Sequence, residues 1–180
     1  MRLERKKIII IGVIVILAIV TASWVWFTEP VTADKAMQDR RVTSISISYR
    51  TSTPGADGGD TGITVKTQTI AETNKVMNLM NQYPYSRRLF DESPASPAHY
   101  KERHMIWISL EYKYASGKPG IYRYLVYEDG YMQTSDSGEQ LRPGRIGRFG
   151  TKKTKAFYHE IADLFRQSED NPSWEKIDAS

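Results

Sequence analysis

The chain has 180 residues, a formal net charge of +4 and no cysteine. The missing cysteines exclude disulfides, a lipidated cysteine anchor and any thiolate metal site. Beyond residue 30 the chain carries 21 basic against 19 acidic side chains, a balance too mild for a dedicated nucleic-acid binder.

The first element is "KKIIIIGVIVILAIVTASWVWFTEP". Ile8 to Phe27 is twenty residues without a charge, thirteen of them Ile, Val, Leu or Phe. A helix of that length spans about 30 Å, the thickness of a bilayer's hydrocarbon core. A cleaved signal peptide usually has a shorter apolar region, about 7 to 15 residues, ending at a small-residue site. Val20-Thr21-Ala22 could serve as that site, but Trp24, Val25, Trp26 and Phe27 continue the apolar run past it. The reading is therefore an uncleaved signal anchor: a cytoplasmic basic tail (1–7), a transmembrane helix (8–27) and a linker (28–40). Arg2, Arg5, Lys6 and Lys7 precede the span and Lys35 is the first basic residue after it. The positive-inside rule then puts the N-terminus in the cytoplasm of a cell membrane and the body of the chain outside.

Residues 41–168 are expected to form one extracytoplasmic domain, with 169–180 a frayed tail. "VTSISISY" (42–49) alternates Ile45, Ile47 and Tyr49 with serines, the pattern of a half-buried strand. "TPGADGGDTG" (53–62) reads as a turn; Asp57 and Asp60 lack the ligand count of a calcium loop. "ITVKTQT" is a second strand. "TIAE" has the form of a capping box, Thr69 with Glu72, opening a helix to about Gln82 that buries Val76, Leu79, Met80 and Tyr83. Residues 84–103, with three prolines, read as a long loop. His99 and His104 near its end form no convincing metal site.

"MIWISLEYKY", "IYRYLVYE" and "YMQT" follow as a three-stranded meander, with turns at "SGKPG" and Asp129-Gly130. "TKKTKAFYHEIADLFRQ" (151–167) places Phe157, Ile161, Leu164 and Phe165 on one stripe of a final helix. The expected fold is α+β: the transmembrane helix, then a small antiparallel sheet of about five strands with two packed helices.

From "TIAETNKVMNLMN" to "YMQTSDSGEQLRPGRIGRFGTKKTKAFYHEI" the chain resembles a family of small envelope domains of unknown function from Gram-positive bacteria, tethered by a lipid or a membrane helix. The likeness covers about residues 42–165. Glu139, Pro143 and Phe157-Tyr158 match the family's tail, whereas Arg145-Ile146-Gly147 departs from its Gly-Ile order. The resemblance implies an envelope location and an α+β fold, and brings no chemistry.

The sequence points away from an enzyme. It lacks a nucleophile elbow, and "HEIAD" (159–163) carries Asp163 where a zinc-protease helix has its second histidine. No cofactor or metal is expected. The function expected is an interaction or scaffolding module held at the membrane, with another envelope protein as partner. The alternative is a binding module for envelope carbohydrate or for an anionic headgroup or wall polymer. Sugar would use Tyr112, Tyr114, Tyr122 and Tyr124 if they stood in a solvent-facing coplanar row; buried, they would form cross-strand pairs. Anions would use "RPGRIGRFGTKKTK" (142–155), where Arg142, Arg145, Arg148, Lys152 and Lys153 lead into a helix start with no acid among them.

Overall fold

The computed structural model describes residues 2–52, 60–87, 103–147 and 150–178. Helix α1 (Arg2–Phe27) comes first, followed by a one-turn helix α2 (Ala33–Ala36). Strands β1 (Arg40–Ser52) and β2 (Asp60–Thr67), helix α3 (Ile70–Gln82) and a short β3 (Tyr85–Arg87) come next. Strands β4 (Arg103–Tyr114), β5 (Pro119–Tyr127), β6 (Met132–Asp136) and β7 (Arg142–Ile146) precede helix α4 (Lys152–Glu169) and the closing strand β8 (Glu175–Asp178). The strands form one sheet, antiparallel throughout, in the order β3-β7-β6-β5-β4-β1-β2-β8.

The alternation of β1 does what its pattern requires. Ile45 and Ile47 are fully buried on the face covered by α3 and α4, level with Leu110 and Ile108 of β4. Tyr122, Tyr124 and Val126 of β5 continue the same face. Phe157, Ile161, Leu164 and Phe165 of α4 and Val76 and Met80 of α3 fill the layer above them. Phe165 stacks on Tyr49 at 5.9 Å between ring centroids. At the β5–β6 hairpin Gly130 has φ +90°, and a Cβ there would meet the Cβ of Thr151 at 2.5 Å. A turn that is left-handed and pressed against the start of α4 accepts only glycine.

Several expectations need correction. The sheet has eight strands, where about five were expected, and there are four helices among the described residues. The five strands with alternating patterns are all present. The three that were missed, β3, β7 and β8, are three to five residues long, and "RPGRI" holds both Pro and Gly. Short edge segments carry too few residues to show a period of two.

The transmembrane helix and the signal anchor are also overturned. Residues 8–27 are helical, within α1, but among the described residues no helix is long and apolar enough to cross a membrane.

Smaller differences have local causes. Thr69 makes no side-chain cap bond. Its expected capping partner Glu72 instead accepts from the Asn171 side chain (3.3 Å) and the Trp174 indole (3.2 Å). That tertiary contact draws the carboxylate away from the helix start and buries Trp174, so the segment expected to fray closes the sheet as β8. Most of the turn at 53–62 and of the loop at 84–103, His99 included, lies outside the described residues. His104 lies in β4, 3.1 Å from the Thr51 hydroxyl, and among the described residues no three His, Asp or Glu gather as metal ligands.

Candidate functional site

One end of the sheet collects the polar chemistry of the domain. There β1 begins at Arg40, β4 ends at Tyr114, β5 begins at Pro119 and β6 ends at Asp136. Arg40 lies opposite Tyr114, Val42 opposite Tyr112, and Tyr122 opposite Asp136. This register carries a guanidinium from the start of the fold to a carboxylate 96 residues later: Arg40 Nη1 donates to Asp136 Oδ2 at 2.6 Å. The Tyr112 hydroxyl donates to Asp136 Oδ1 at 2.5 Å, and the Ser137 backbone N–H donates to the same oxygen at 2.8 Å. The Arg40 guanidinium also lies over the rings of Tyr112 (4.7 Å) and Tyr114 (5.3 Å).

Burial works against the Asp136 charge, but the bonds from Tyr112, Arg40 and Ser137 outweigh it and hold the carboxyl below its ordinary value. Burial likewise works against the Arg40 charge, and Asp136 outweighs it. Burial, then the bond to Asp136, pushes the Tyr112 phenol well up. With both its oxygens occupied by donors, Asp136 is a poor general base, and Tyr112 keeps its proton. The cluster locks the first residues of β1 against the sheet.

Removing Asp136 would leave Arg40 and Tyr112 without their acceptor, both side chains of the ion pair being about four-fifths covered. Asp136→Ala is expected to lower stability by about 1.5–3 kcal/mol, read as a lower urea midpoint at unchanged slope. Because the folded value of Asp136 lies below its ordinary 3.8, this contribution is complete above that value and disappears as pH falls through the folded one. The parent should therefore show an acid limb that Asp136→Ala has lost.

Beside this cluster runs a groove of about 780 Å³. One wall is β1, from Arg40 to Thr43; the other is the face of α3 bearing Thr73, Asn74, Met77 and Asn78. Met37 and Met77 are buried at its base, and Arg41 and Lys113 are exposed along it.

The residues expected to hold an anion do not converge. Arg142 is half-exposed and ion-paired to Glu139 at 3.1 Å. Along β7 the period of two puts Arg142 on the face of Ile146 and Arg145 on the opposite one, where it lies level with Ser86. Arg148 lies outside the described residues. Lys152 and Lys153 are exposed in the first turn of α4, which holds no acid and no side-chain cap. The expected sugar platform is also placed otherwise. Tyr112, Tyr122 and Tyr124 are buried and Tyr114 is half-buried. Their rings are crossed rather than coplanar, at 87° for Tyr112 with Tyr114 and 53° for Tyr122 with Tyr124.

Sequence reasoning missed Arg40, Asp136 and the groove. Nothing local marks any of them, because each depends on the register of strands far apart in the chain.

No family model, no curated protein and no solved structure matches this chain. The likeness to the Gram-positive envelope domains thus rests only on the residues quoted for it.

Proposed function

We propose that the chain is an extracytoplasmic interaction module of the cell envelope, held at a lipid membrane by α1 and presenting its domain to a partner protein. The observation that supports this reading is the condition of α1. From Ile10 to Trp26 every described side chain is exposed, from Ile10 at 58% to Trp26 at 78%. A helix that is apolar all round, with no polar face for water, is covered by apolar surroundings in its working state. Lipid supplies them here, and the basic Arg2, Arg5, Lys6 and Lys7 ahead of the apolar run suit attraction to anionic headgroups at the membrane surface.

The test is flotation of the full chain with vesicles of equal parts phosphatidylcholine and phosphatidylglycerol. The parent is expected in the floating fraction, and Ile14→Lys/Leu17→Lys in the sediment with unchanged circular dichroism. Equal flotation of both chains, or none by the parent, would refute lipid attachment through α1. Protease added outside intact cells should degrade the domain; full protection there would reverse its sidedness.

A further inference from the structure

We propose that the groove between β1 and α3 takes an extended acidic peptide of a partner protein, added as a strand to the free edge of β1. The inference rests on the reading of the chain as an interaction module and assigns that module its binding site.

The edge arises from a mismatch in strand length. β4 pairs with β1 from Arg40 onward, but β2 pairs with it only from Ile45, opposite Thr67. Beyond Thr67 the chain turns away into α3. The Thr67 hydroxyl fixes that turn by donating to the Ser173 carbonyl (2.8 Å) and accepting from the Thr69 N–H (3.1 Å). Residues 40–44 are thus paired on one side only. Among the described residues, the bond from the Arg40 N–H to the Met37 carbonyl is the one further backbone contact of this stretch. An unpaired edge of this kind accepts an added strand of about five residues through main-chain hydrogen bonds.

The setting selects what can be added. α3 forms the facing wall of the groove, and Asn74 and Asn78, one turn apart, offer amide donors and acceptors to an incoming backbone. The described lining has three cations (Arg40, Arg41 and Lys113) against one acid, Asp34. Asp136 neutralises Arg40, while Arg41 and Lys113 stand level on neighbouring strands and are exposed. These two cations favour acidic side chains, and Met77 and Met37 give an adaptable apolar base. A bulge between Val42 and Ser44 interrupts the edge, which discourages indiscriminate pairing. The Arg40–Asp136 pair holds the strand in place before a peptide arrives.

The experiment pans a displayed library of random nine-residue peptides on the full chain in detergent micelles, and then measures the enriched peptides individually. Acid-rich peptides are expected. Asn74→Trp, an exposed position that fills the groove, should weaken them at least tenfold, and Arg41→Glu/Lys113→Glu should shift selection to basic peptides. Bound peptide should slow amide hydrogen exchange at Val42 and Thr43 at least tenfold. The proposal is overturned if no peptide is enriched beyond what Asn74→Trp retains, if the charge-reversed chain selects the same acidic peptides, or if exchange at Val42 and Thr43 is unchanged in the complex. Flotation separates the two readings. All groove variants should still float, so failed peptide selection by a floating chain sinks the groove alone, while peptide binding by a chain that does not float sinks lipid attachment alone.

Discussion

Phe157→Ala is expected to cost about 3–5 kcal/mol of folding stability, the range for a fully buried phenylalanine whose site cannot collapse. Phe157 is 1% exposed at the centre of the α4 stripe. Its ring lies 5.2 Å from that of Tyr83, which links α4 to the end of α3. Both helices are anchored to the sheet and cannot close over the void, so little of the loss is recovered. For a domain of this size the change should lower Tm by roughly 6–20 °C. A useful contrast is Tyr83→Phe, which keeps the ring and removes only an exposed hydroxyl bonded to Glu160; it should stay within about 1 kcal/mol of the parent. Thermal unfolding of the two variants side by side checks the argument. A small loss for Phe157→Ala would mean that α4 is not the lid of this core.

The second large effect is expected at alkaline pH. Burial, then the bond to Asp136, raises the Tyr112 phenol, and burial, then the bond with Tyr49, raises Tyr158. Burial, then the neighbouring Tyr122 and Tyr85, raises Tyr124 well above its ordinary value of 10. The half-buried Tyr83 is pushed up to about 12, first by its bond to Glu160. In every case the folded chain keeps a proton that the unfolded chain releases near pH 10. Stability is therefore complete below pH 10 and falls as pH rises above it. Each group that must stay protonated contributes a loss of about 1.4 kcal/mol per pH unit. Three buried tyrosines acting together can exhaust a total of about 5–15 kcal/mol within a few pH units. Tyrosinate absorbance and far-ultraviolet circular dichroism should change in one shared step. A gradual titration of the eleven tyrosines in a chain that stays folded would contradict this. Tyr124→Phe should move the step to higher pH at little cost, because among the described residues the Tyr124 hydroxyl has no hydrogen-bond partner.

What could be read in advance followed element length. Ile45, Ile47 and Tyr49 announced β1, and Phe157, Ile161, Leu164 and Phe165 announced α4, because a long amphipathic element repeats its signal several times. "EKID" and "YSR" repeat it once or twice, and they became strands only because β2 and β7 had an edge to pair. Apolar length was read one way and the structure another for α1. The candidate site was hidden for a different reason. The basic segment 142–155 stood out because its charges are adjacent in sequence, yet strand alternation sends Arg142 and Arg145 to opposite faces of the sheet. Arg40 and Asp136 are each unremarkable in sequence and meet only across four strands.

The sequence by itself determined the α+β class, the central strands, the two long packed helices and an apolar N-terminal helix, since these follow from local periodicity and composition. Only the tertiary structure decided the eight-strand order, the burial of the tyrosines, the closing of the sheet by β8 and the free edge of β1 beside α3. Those features come from register and from where one strand stops against another, and both are set by packing between segments that do not know of each other until the chain has folded.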